Sequence, residues 1–119
     1  MNIPKLYDAE YKFACIIWEL GPINSTELVK VCMDRLGWKK STTYTVLKKL
    51  CERGILQNHD AVVSALVERG QVQKYESEEL LARTFDGSVS TFLATFLQDR
   101  KLTKDEADEL GRMIKEASE

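Results

Sequence analysis

The sequence has few of the residues and patterns that mark several large classes of protein. Of its 119 residues, two are proline and six are glycine, which excludes collagen and Pro-rich linkers. No stretch approaches the ~18 consecutive apolar residues of a membrane-spanning helix. The first ten residues lack the charged-then-apolar pattern of a secretory signal, so a cytoplasmic protein is expected.

Metal-binding and catalytic patterns are also scarce. The three cysteines, Cys15, Cys32 and Cys51, form no CxxC pair, and the single histidine, His59, lies in a polar turn. The chain contains no HExxH, GxGxxG or phosphate-loop motif and no Ser-His-Asp set. We therefore expect reduced thiols, no metal, no cofactor, no small-molecule substrate and no enzymatic activity.

What the chain does have is a globular composition, 44% apolar and 30% charged, with an uneven distribution of charge. Residues 1–57 carry nine basic and six acidic side chains, whereas the rest of the chain carries eight and thirteen. Between Trp38 and Gly54, five basic residues accompany one acidic residue. In a chain of net charge −2, this segment indicates either a local anion-binding surface or a solvated basic helix face.

The N-terminal half shows three helical patterns separated by short breaks. Apolar residues at three- and four-residue spacing predict a helix over 8–20, which Gly21-Pro22 ends. Asn24 is the predicted N-cap of a second helix over 25–35. A third helix is predicted over 41–53, after a short turn that contains glycine. Two helices joined by such a turn form the helix-turn-helix pattern.

The third predicted helix has one apolar and one polar face. Val46, Leu47 and Leu50 share the apolar face at 3.6-residue periodicity. The polar face offers hydroxyls, an aromatic ring and lysines, which can bond phosphate oxygens or base edges. Two further lysines precede the helix, where backbone N–H groups also favour phosphate. The candidate DNA-binding residues are therefore Lys39, Lys40, Ser41, Thr42, Tyr44, Thr45, Lys48 and Lys49.

Two short strands are predicted directly after the third helix. Ile55-Leu56 and the β-branched run 61–67 flank a polar turn at 57–60, and this arrangement would form a wing. No lysine or arginine lies between Gly54 and Arg69. We therefore expect the wing to contribute to the fold more than to phosphate binding.

From Glu68 onward the chain is acidic and helical in pattern. Asp86-Gly87-Ser88 and a capping box at Thr103 divide this part into amphipathic helices. Their apolar stripes need cover, either by folding back onto the same chain or in a dimer. We favour a two-fold dimer, because it would place two recognition helices about one DNA turn apart. The predicted interface comprises Phe85, Val89, Phe92, Leu93, Phe96, Leu97, Leu110 and Ile114.

The predicted fold class is mainly α-helical with a small β-wing. Residues 1–67 would form a winged helix-turn-helix DNA-binding domain, and residues 68–119 a helical dimerisation region.

In order and spacing, the residues resemble the penicillinase-repressor family of bacterial transcription regulators, which includes the methicillin-resistance and copper-transport repressors. The resemblance covers nearly the whole chain. The motifs that carry it are Asp8-Ala9-Glu10-Tyr11 followed by Trp18, Gly21-Pro22, Trp38, Thr42, Thr45, Leu47, Lys49, Leu50, Arg53-Gly54, Phe85-Asp86-Gly87-Ser88 and Leu102-Thr103.

The resemblance implies a dimeric, sequence-specific DNA-binding repressor that acts on an inverted-repeat operator, with the third helix in the major groove. It also implies a membrane sensor protease that relieves repression by cleaving the dimerisation helix. The family's scissile Asn-Phe pair aligns with Thr95-Phe96, where threonine replaces asparagine. The wing tip Asn58-His59-Asp60 lacks the basic residues common in the family, and the cysteine motif of the copper-responsive branch is not expected.

Two other functions stay open on the sequence alone. One is a winged-helix protein-interaction module that does not bind DNA, which the wing without basic residues and the net negative charge favour. The other is a redox-responsive repressor that uses Cys15, Cys32 or Cys51. Salt-sensitive DNA binding distinguishes the first alternative from a repressor, and thiol alkylation tests the second.

Overall fold

The structure, a computed structural model of the chain, describes residues 5–118. The first four residues of the predicted domain 1–67 and the last residue of 68–119 lie outside this range. Along the described chain the elements are α1 (Asp8–Leu20), β1 (Ile23–Asn24), α2 (Ser25–Leu36), α3 (Lys40–Glu52), β2 (Leu56–His59), β3 (Val62–Ala65), α4 (Arg69–Phe85), α5 (Val89–Leu97) and α6 (Lys104–Ala117).

Helices dominate residues 5–118, and the strands there form an antiparallel sheet of order β1-β3-β2. The predicted fold class is confirmed. Helix α1 occupies its predicted range, α2 ends one residue later than predicted, and α3 begins and ends one residue earlier. The predicted N-cap of α2 is also confirmed, because Oδ1 of Asn24 accepts a hydrogen bond from the Thr26 N–H at 2.8 Å.

The chain divides into two compact units, 1–79 and 80–119, and the division falls within α4. In the first unit, the apolar faces of α1, α2 and α3 meet the sheet in one core. Phe13, Leu28, Leu50 and Val63 are completely buried there, and Val72 from the second turn of α4 joins them. Each such side chain contributes about 1.5–3 kcal/mol through burial. This core holds the helix-turn-helix pair in place.

The wing is a β-hairpin of strands β2 and β3, and its loop has two residues. His59 pairs with Val62, and the turn between them is made by Asp60 and Ala61 at φ +51° and +65°. Two successive positive φ angles match the right-handed twist of the flanking strands. Strand β3 is shorter than the predicted run 61–67, because Ala61 belongs to the turn. Beyond the strand, the Leu66 N–H bonds the carbonyl of Ile55 at 2.9 Å, outside the β2–β3 ladder.

Strand β1 was not predicted. Ile23 and Asn24 pair with Val63 and Val62, and the Ser25 N–H then donates to the carbonyl of Ala61 at 2.8 Å. A strand of two residues shows no hydrophobic period that a sequence reading could detect. Its effect is to attach the wing turn to the first residue of α2.

The second unit contains the end of α4 together with α5 and α6. Its predicted breaks are confirmed: the Ser88 hydroxyl accepts from the Thr91 N–H at 3.0 Å. The Thr103 hydroxyl accepts from the Glu106 N–H at 3.1 Å, and Glu106 returns a bond to the Thr103 N–H at 3.0 Å. Neither α5 nor α6 contains a buried residue within the described chain. Their apolar stripes are therefore accessible in the single chain.

None of the helices described by the structure combines the length and the apolar character needed to cross a membrane.

Candidate nucleic-acid interface

Helix α3 is held by its buried face. Thr43 and Leu50 are completely buried, and Leu47 is nearly so. The helical periodicity of the sequence predicted the burial of Leu47 and Leu50. The hydroxyl of Thr43 lies near the thiol of Cys32 on α2. Because these contacts lie on one side of α3, the opposite side is turned to solvent.

The C-terminal end of α3 is tied to α1 by an ion pair. Nη1 of Arg53, the residue after α3, lies 3.1 and 3.0 Å from the two carboxylate oxygens of Glu10. The Glu10 side chain is 9% exposed, and the Arg53 side chain 26%. Arg53 also donates to the carbonyl of Lys5. A shielded, charge-assisted contact of this kind fixes the direction of α3.

The outer face of α3 carries most of the candidate DNA-binding residues. Tyr44 is half-buried, and the other seven are exposed: Lys39, Lys40, Ser41, Thr42, Thr45, Lys48 and Lys49. None of these four lysines forms an ion pair with another residue in the described range. Their charges are therefore available to an external anion.

The hydroxyls on this face are not equivalent. Oγ1 of Thr45 donates to the carbonyl of Ser41 at 2.9 Å, so its proton is used within the helix. Thr45 can then reach DNA through its methyl group or as an acceptor. Ser41 and Thr42 lie in the first turn of α3, where backbone N–H groups are also unpaired within the helix. This end of the helix is suited to a phosphate.

Tyr44 differs from its neighbours because it connects elements of the fold. Its hydroxyl donates to Oγ of Ser25 at 3.5 Å, and its ring packs on the core. Ser25 also donates its N–H to Ala61 in the wing. Ser25 therefore joins the recognition helix to the wing turn. The role of Tyr44 at the DNA stays a prediction, and its contact with Ser25 is a positioning one.

The wing continues the surface that α3 presents. Asn58 on β2 lines a shallow cleft of about 240 Å³ together with Tyr44, Leu47, Lys48 and Cys51 of α3. Neither Asn58 nor Ser25 is among the candidate interface residues predicted from the sequence. No local signal marks them, because their contacts depend on how the hairpin and α2 pack against α3. The exposed surface thus extends from the lysines of α3 to the wing.

The predicted interface residues all lie in the second unit. Ring centroids of Phe92 are 5.2 Å from Phe85 and 5.7 Å from Phe96, so the three rings form one cluster. Exposed members of the predicted set are Val89, Phe96, Leu110 and Ile114, and half-buried members are Phe85, Phe92, Leu93 and Leu97. The candidate cleavage pair Thr95-Phe96 lies within α5, and both residues are exposed. These roles stay predictions.

The three thiols have different surroundings. Cys32 is completely buried, and burial raises its pKa, an effect that the nearby Thr43 hydroxyl partly offsets. Cys51 is half-buried, and its pKa is raised by burial and by the charge of Glu52. Cys15 is half-buried with Nη2 of Arg69 at 3.4 Å from its sulfur. In the part of the chain that the structure describes, no three His, Cys, Asp or Glu side chains are arranged to hold a metal ion.

A helix-turn-helix pair, a two-stranded wing and an exposed lysine-bearing face on the second helix define a winged helix-turn-helix protein. Comparison with known proteins then gives the family. The family model described as penicillinase repressor matches residues 6–116, and the chain belongs to this family. The resemblance found in the sequence is confirmed.

Two curated relatives show how far the similarity extends. The penicillinase repressor of Bacillus licheniformis is 26% identical over 119 residues, which cover 97% of this chain and 93% of that protein. An uncharacterised 16.5 kDa protein of Latilactobacillus sakei is 29% identical over 56 residues, 47% of this chain and 38% of that protein. The first similarity therefore spans both units.

Among solved structures, the monomeric form of Bacillus licheniformis BlaI in complex with the blaP half-operator is similar to this chain. The TM-score is 0.52 at 26% sequence identity, and the match covers 59% of this chain and 90% of that one. The winged helix-turn-helix fold is thereby confirmed. Because the family consists of transcriptional repressors, the prediction that the chain is not an enzyme is also confirmed.

Proposed function

We propose that this chain is a dimeric transcriptional repressor that binds an inverted-repeat operator, with α3 in the major groove. Residues 1–67 would bind DNA and residues 68–119 would dimerise. The observation that carries the proposal is the exposed, lysine-bearing face of α3 in a member of this family. The Bacillus licheniformis relative in complex with a half-operator supports it. The compartment would be the cytoplasm, where bacterial DNA lies.

The spacing of the lysines suits the major groove. Lys40 and Lys48 are eight residues apart, which corresponds to about 12 Å along a helix. The major groove is also about 12 Å wide, so lysines separated by this distance along α3 can reach the phosphates on either side of it. The face between them carries Ser41, Thr42 and Thr45, which are short enough to approach base edges.

The apolar stripes of the second unit support the dimer. Val89 and Ile114 are each 58% exposed and Phe96 is 50% exposed. Exposed apolar stripes of this kind on a small chain mark an interaction site. A second copy with the same stripe would cover it in a two-fold arrangement, and each chain would then contact one half of the operator.

Relief by a membrane sensor protease is the last part of the proposal. A cut between Thr95 and Phe96 would remove Phe96 and Leu97 from the stripe that contains Phe92. Because this bond lies inside α5, the helix must open locally before a protease can act. Mass spectrometry of the chain from cells with an active target promoter tests the site. A fragment that begins at Phe96 supports cleavage at this bond. If the chain is intact in cells whose target promoter is active, proteolytic relief is contradicted.

The phosphate contacts are tested by salt dependence. In fluorescence anisotropy with a labelled duplex, Lys48→Ala should weaken binding to all sequences and reduce the slope of log affinity against log salt by about 0.9. Lys74→Ala is the control, because Lys74 is exposed on α4 and pairs with Glu78 at 2.8 Å. Its slope should equal that of the unmodified chain. Equal salt slopes for the unmodified chain and both variants would show that Lys48 lies outside the DNA interface.

A second candidate function rests on the wing. Residues 55–68 contain no lysine or arginine, which suits a module that binds protein rather than DNA. In that case the chain would show no salt-sensitive binding to any duplex.

A further inference from the structure

Helix α5 has little that holds it in the helical conformation. It spans nine residues, and isolated helices shorter than about 12–15 residues are only marginally stable in water. Val89, Thr91 and Thr95 in this helix are β-branched, which lowers helix propensity. Within the described chain, α5 contains no buried residue. The contacts at its ends therefore determine how often it opens.

The last turn of α5 is closed by hydrogen bonds from residues that follow the helix. The carbonyl of Thr95 accepts the N–H of Gln98 at 3.3 Å, and the carbonyl of Leu97 accepts the N–H of Arg100 at 3.0 Å. Asp99, between the two donors, has a φ of +60°. Aspartate is one of the few residues that adopt this left-handed conformation, and here it turns the chain so that Arg100 returns toward the helix end.

The side chain of Arg100 lies on the ring of Phe96. Its Cζ is 4.3 Å from the centroid of that ring, which is a cation–π contact. The same ring stacks on Phe92, with centroids 5.7 Å apart and an angle of 20° between the planes. Phe96 is thus held by one partner inside α5 and by another beyond its end. An open last turn would lose both contacts.

The charge of Arg100 also acts on the start of α6. Hydrogen bonds with Thr103 lower the pKa of the Glu106 carboxyl, and the positive charge of Arg100 lowers it further. Glu106 lies in the first turn of α6, where its carboxylate accepts the Thr103 N–H at 3.0 Å. The capping box therefore fixes this carboxylate. Attraction to it favours the position in which the guanidinium contacts Phe96.

We propose that Arg100 stabilises the last turn of α5 through its contact with Phe96 and thereby limits how often the Thr95–Phe96 bond becomes accessible to a protease. For its role in the cell, this inference rests on the proposed proteolytic relief. A protease acts on an extended segment, so the residues on both sides of the bond must leave the helix first. When opening and closing are faster than cleavage, the rate of cleavage follows the population of the open form.

The test is digestion of the purified chain with thermolysin, which cuts before large apolar residues. Mass spectrometry follows the fragment that begins at Phe96. Arg100→Ala should release this fragment about two- to fivefold faster than the unmodified chain, the effect of losing one exposed cation–π contact. Arg100→Lys should give an intermediate rate, because an ammonium can lie over the ring but has no planar group that stacks on it.

Two controls separate this contact from general effects. Lys101→Ala removes the same charge from the next residue, and Lys101 has no ion-pair or ring partner within residues 5–118. Its rate should equal that of the unmodified chain. Cutting before Phe13, which is completely buried in the first unit, reports the opening of that core. This second rate should be the same in every variant.

Each failure has a different result. Equal rates for Arg100→Ala and Lys101→Ala would overturn the proposal, and so would an Arg100→Ala variant that is also cut faster before Phe13. An effect that changes with protein concentration would assign the faster cut to dissociation of the dimer and contradict local opening. If Arg100→Ala is cut faster in the digest but the chain is intact in cells whose target promoter is active, the role of Arg100 stands and proteolytic relief fails.

Discussion

Arg53 and Glu10 form the contact that fixes the end of the recognition helix, with Nη1 of Arg53 at 3.0–3.1 Å from both carboxylate oxygens. Glu10 has a second partner, since its Oε1 accepts from the Tyr7 N–H at 3.0 Å at the start of α1. One carboxylate therefore stabilises the first turn of α1 and also holds the residue that follows α3. The direction of the candidate DNA-binding face depends on this shielded pair.

Arg53→Ala should lower the free energy of unfolding by about 2–3 kcal/mol, because it leaves the shielded Glu10 carboxylate without its cation. Urea denaturation measures the loss. Arg35→Ala is the matched control, since Arg35 pairs with Glu19 where the side chains are 41% and 57% exposed. That pair should contribute less than about 1 kcal/mol. Similar losses for the two variants would contradict a special role for Arg53.

Much of α3 could be predicted from the sequence, and its long-range contacts could not. The spacing of Leu47 and Leu50 shows which side of the helix is buried, because helical periodicity is a local property. The Glu10–Arg53 contact joins residues 43 positions apart, and the Ser25–Tyr44 contact joins residues 19 apart. No period or motif relates such partners. The β1 strand was missed for the same reason, since its partner lies in the wing.

The C-terminal helices were predicted from caps as much as from periodicity. Ser88 and Thr103 are followed three residues later by the partners they bond, so a reader of the sequence finds both helix starts. The partner that covers the apolar stripes of α5 and α6 could not be predicted in the same way. A stripe shows that apolar surface exists, but it does not identify what packs against that surface. The dimer interface therefore remains a proposal.

Tyr44→Phe should leave the salt slope of DNA binding unchanged, because the substitution removes no charge. The hydroxyl that is lost contacts Ser25. Stability should fall by less than about 1 kcal/mol, since the variant removes one long hydrogen bond and keeps the ring in place. Anisotropy and urea denaturation give the two quantities. A loss of affinity that is confined to particular operator sequences would instead place the hydroxyl on a base edge.

Cys32 should react more slowly with a thiol reagent than Cys15 or Cys51 in the folded protein. Its side chain is completely buried, and burial raises its pKa, so less of the reactive thiolate is present at a given pH. Absorbance after addition of an aromatic disulfide reagent follows the three rates, with assignment from single Cys→Ser variants. In urea the Cys32 rate should rise to that of the others. Rapid reaction of Cys32 in the folded chain would support a thiol-responsive repressor instead.

Phe92→Asp together with Phe96→Asp should convert the dimer to monomers, because two charges would enter the apolar stripe of the proposed interface. Light scattering gives the mass, and operator binding should weaken at the same time. The matched control is Ser90→Asp together with Ala94→Asp, which adds the same charges at exposed positions on the other side of α5. A double Phe variant that stays dimeric would show that the interface lies elsewhere.

The most direct test of operator recognition compares two labelled duplexes, one from the DNA upstream of the chain's own gene and one of random sequence, over a range of salt concentrations. Log affinity should fall with log salt, and the upstream duplex should bind at least ~10³-fold more tightly than the random one. Tight but equal binding of the two duplexes would contradict sequence-specific repression at that site. Absence of binding to both at low salt would contradict DNA binding itself and assign the exposed face of α3 to a protein partner.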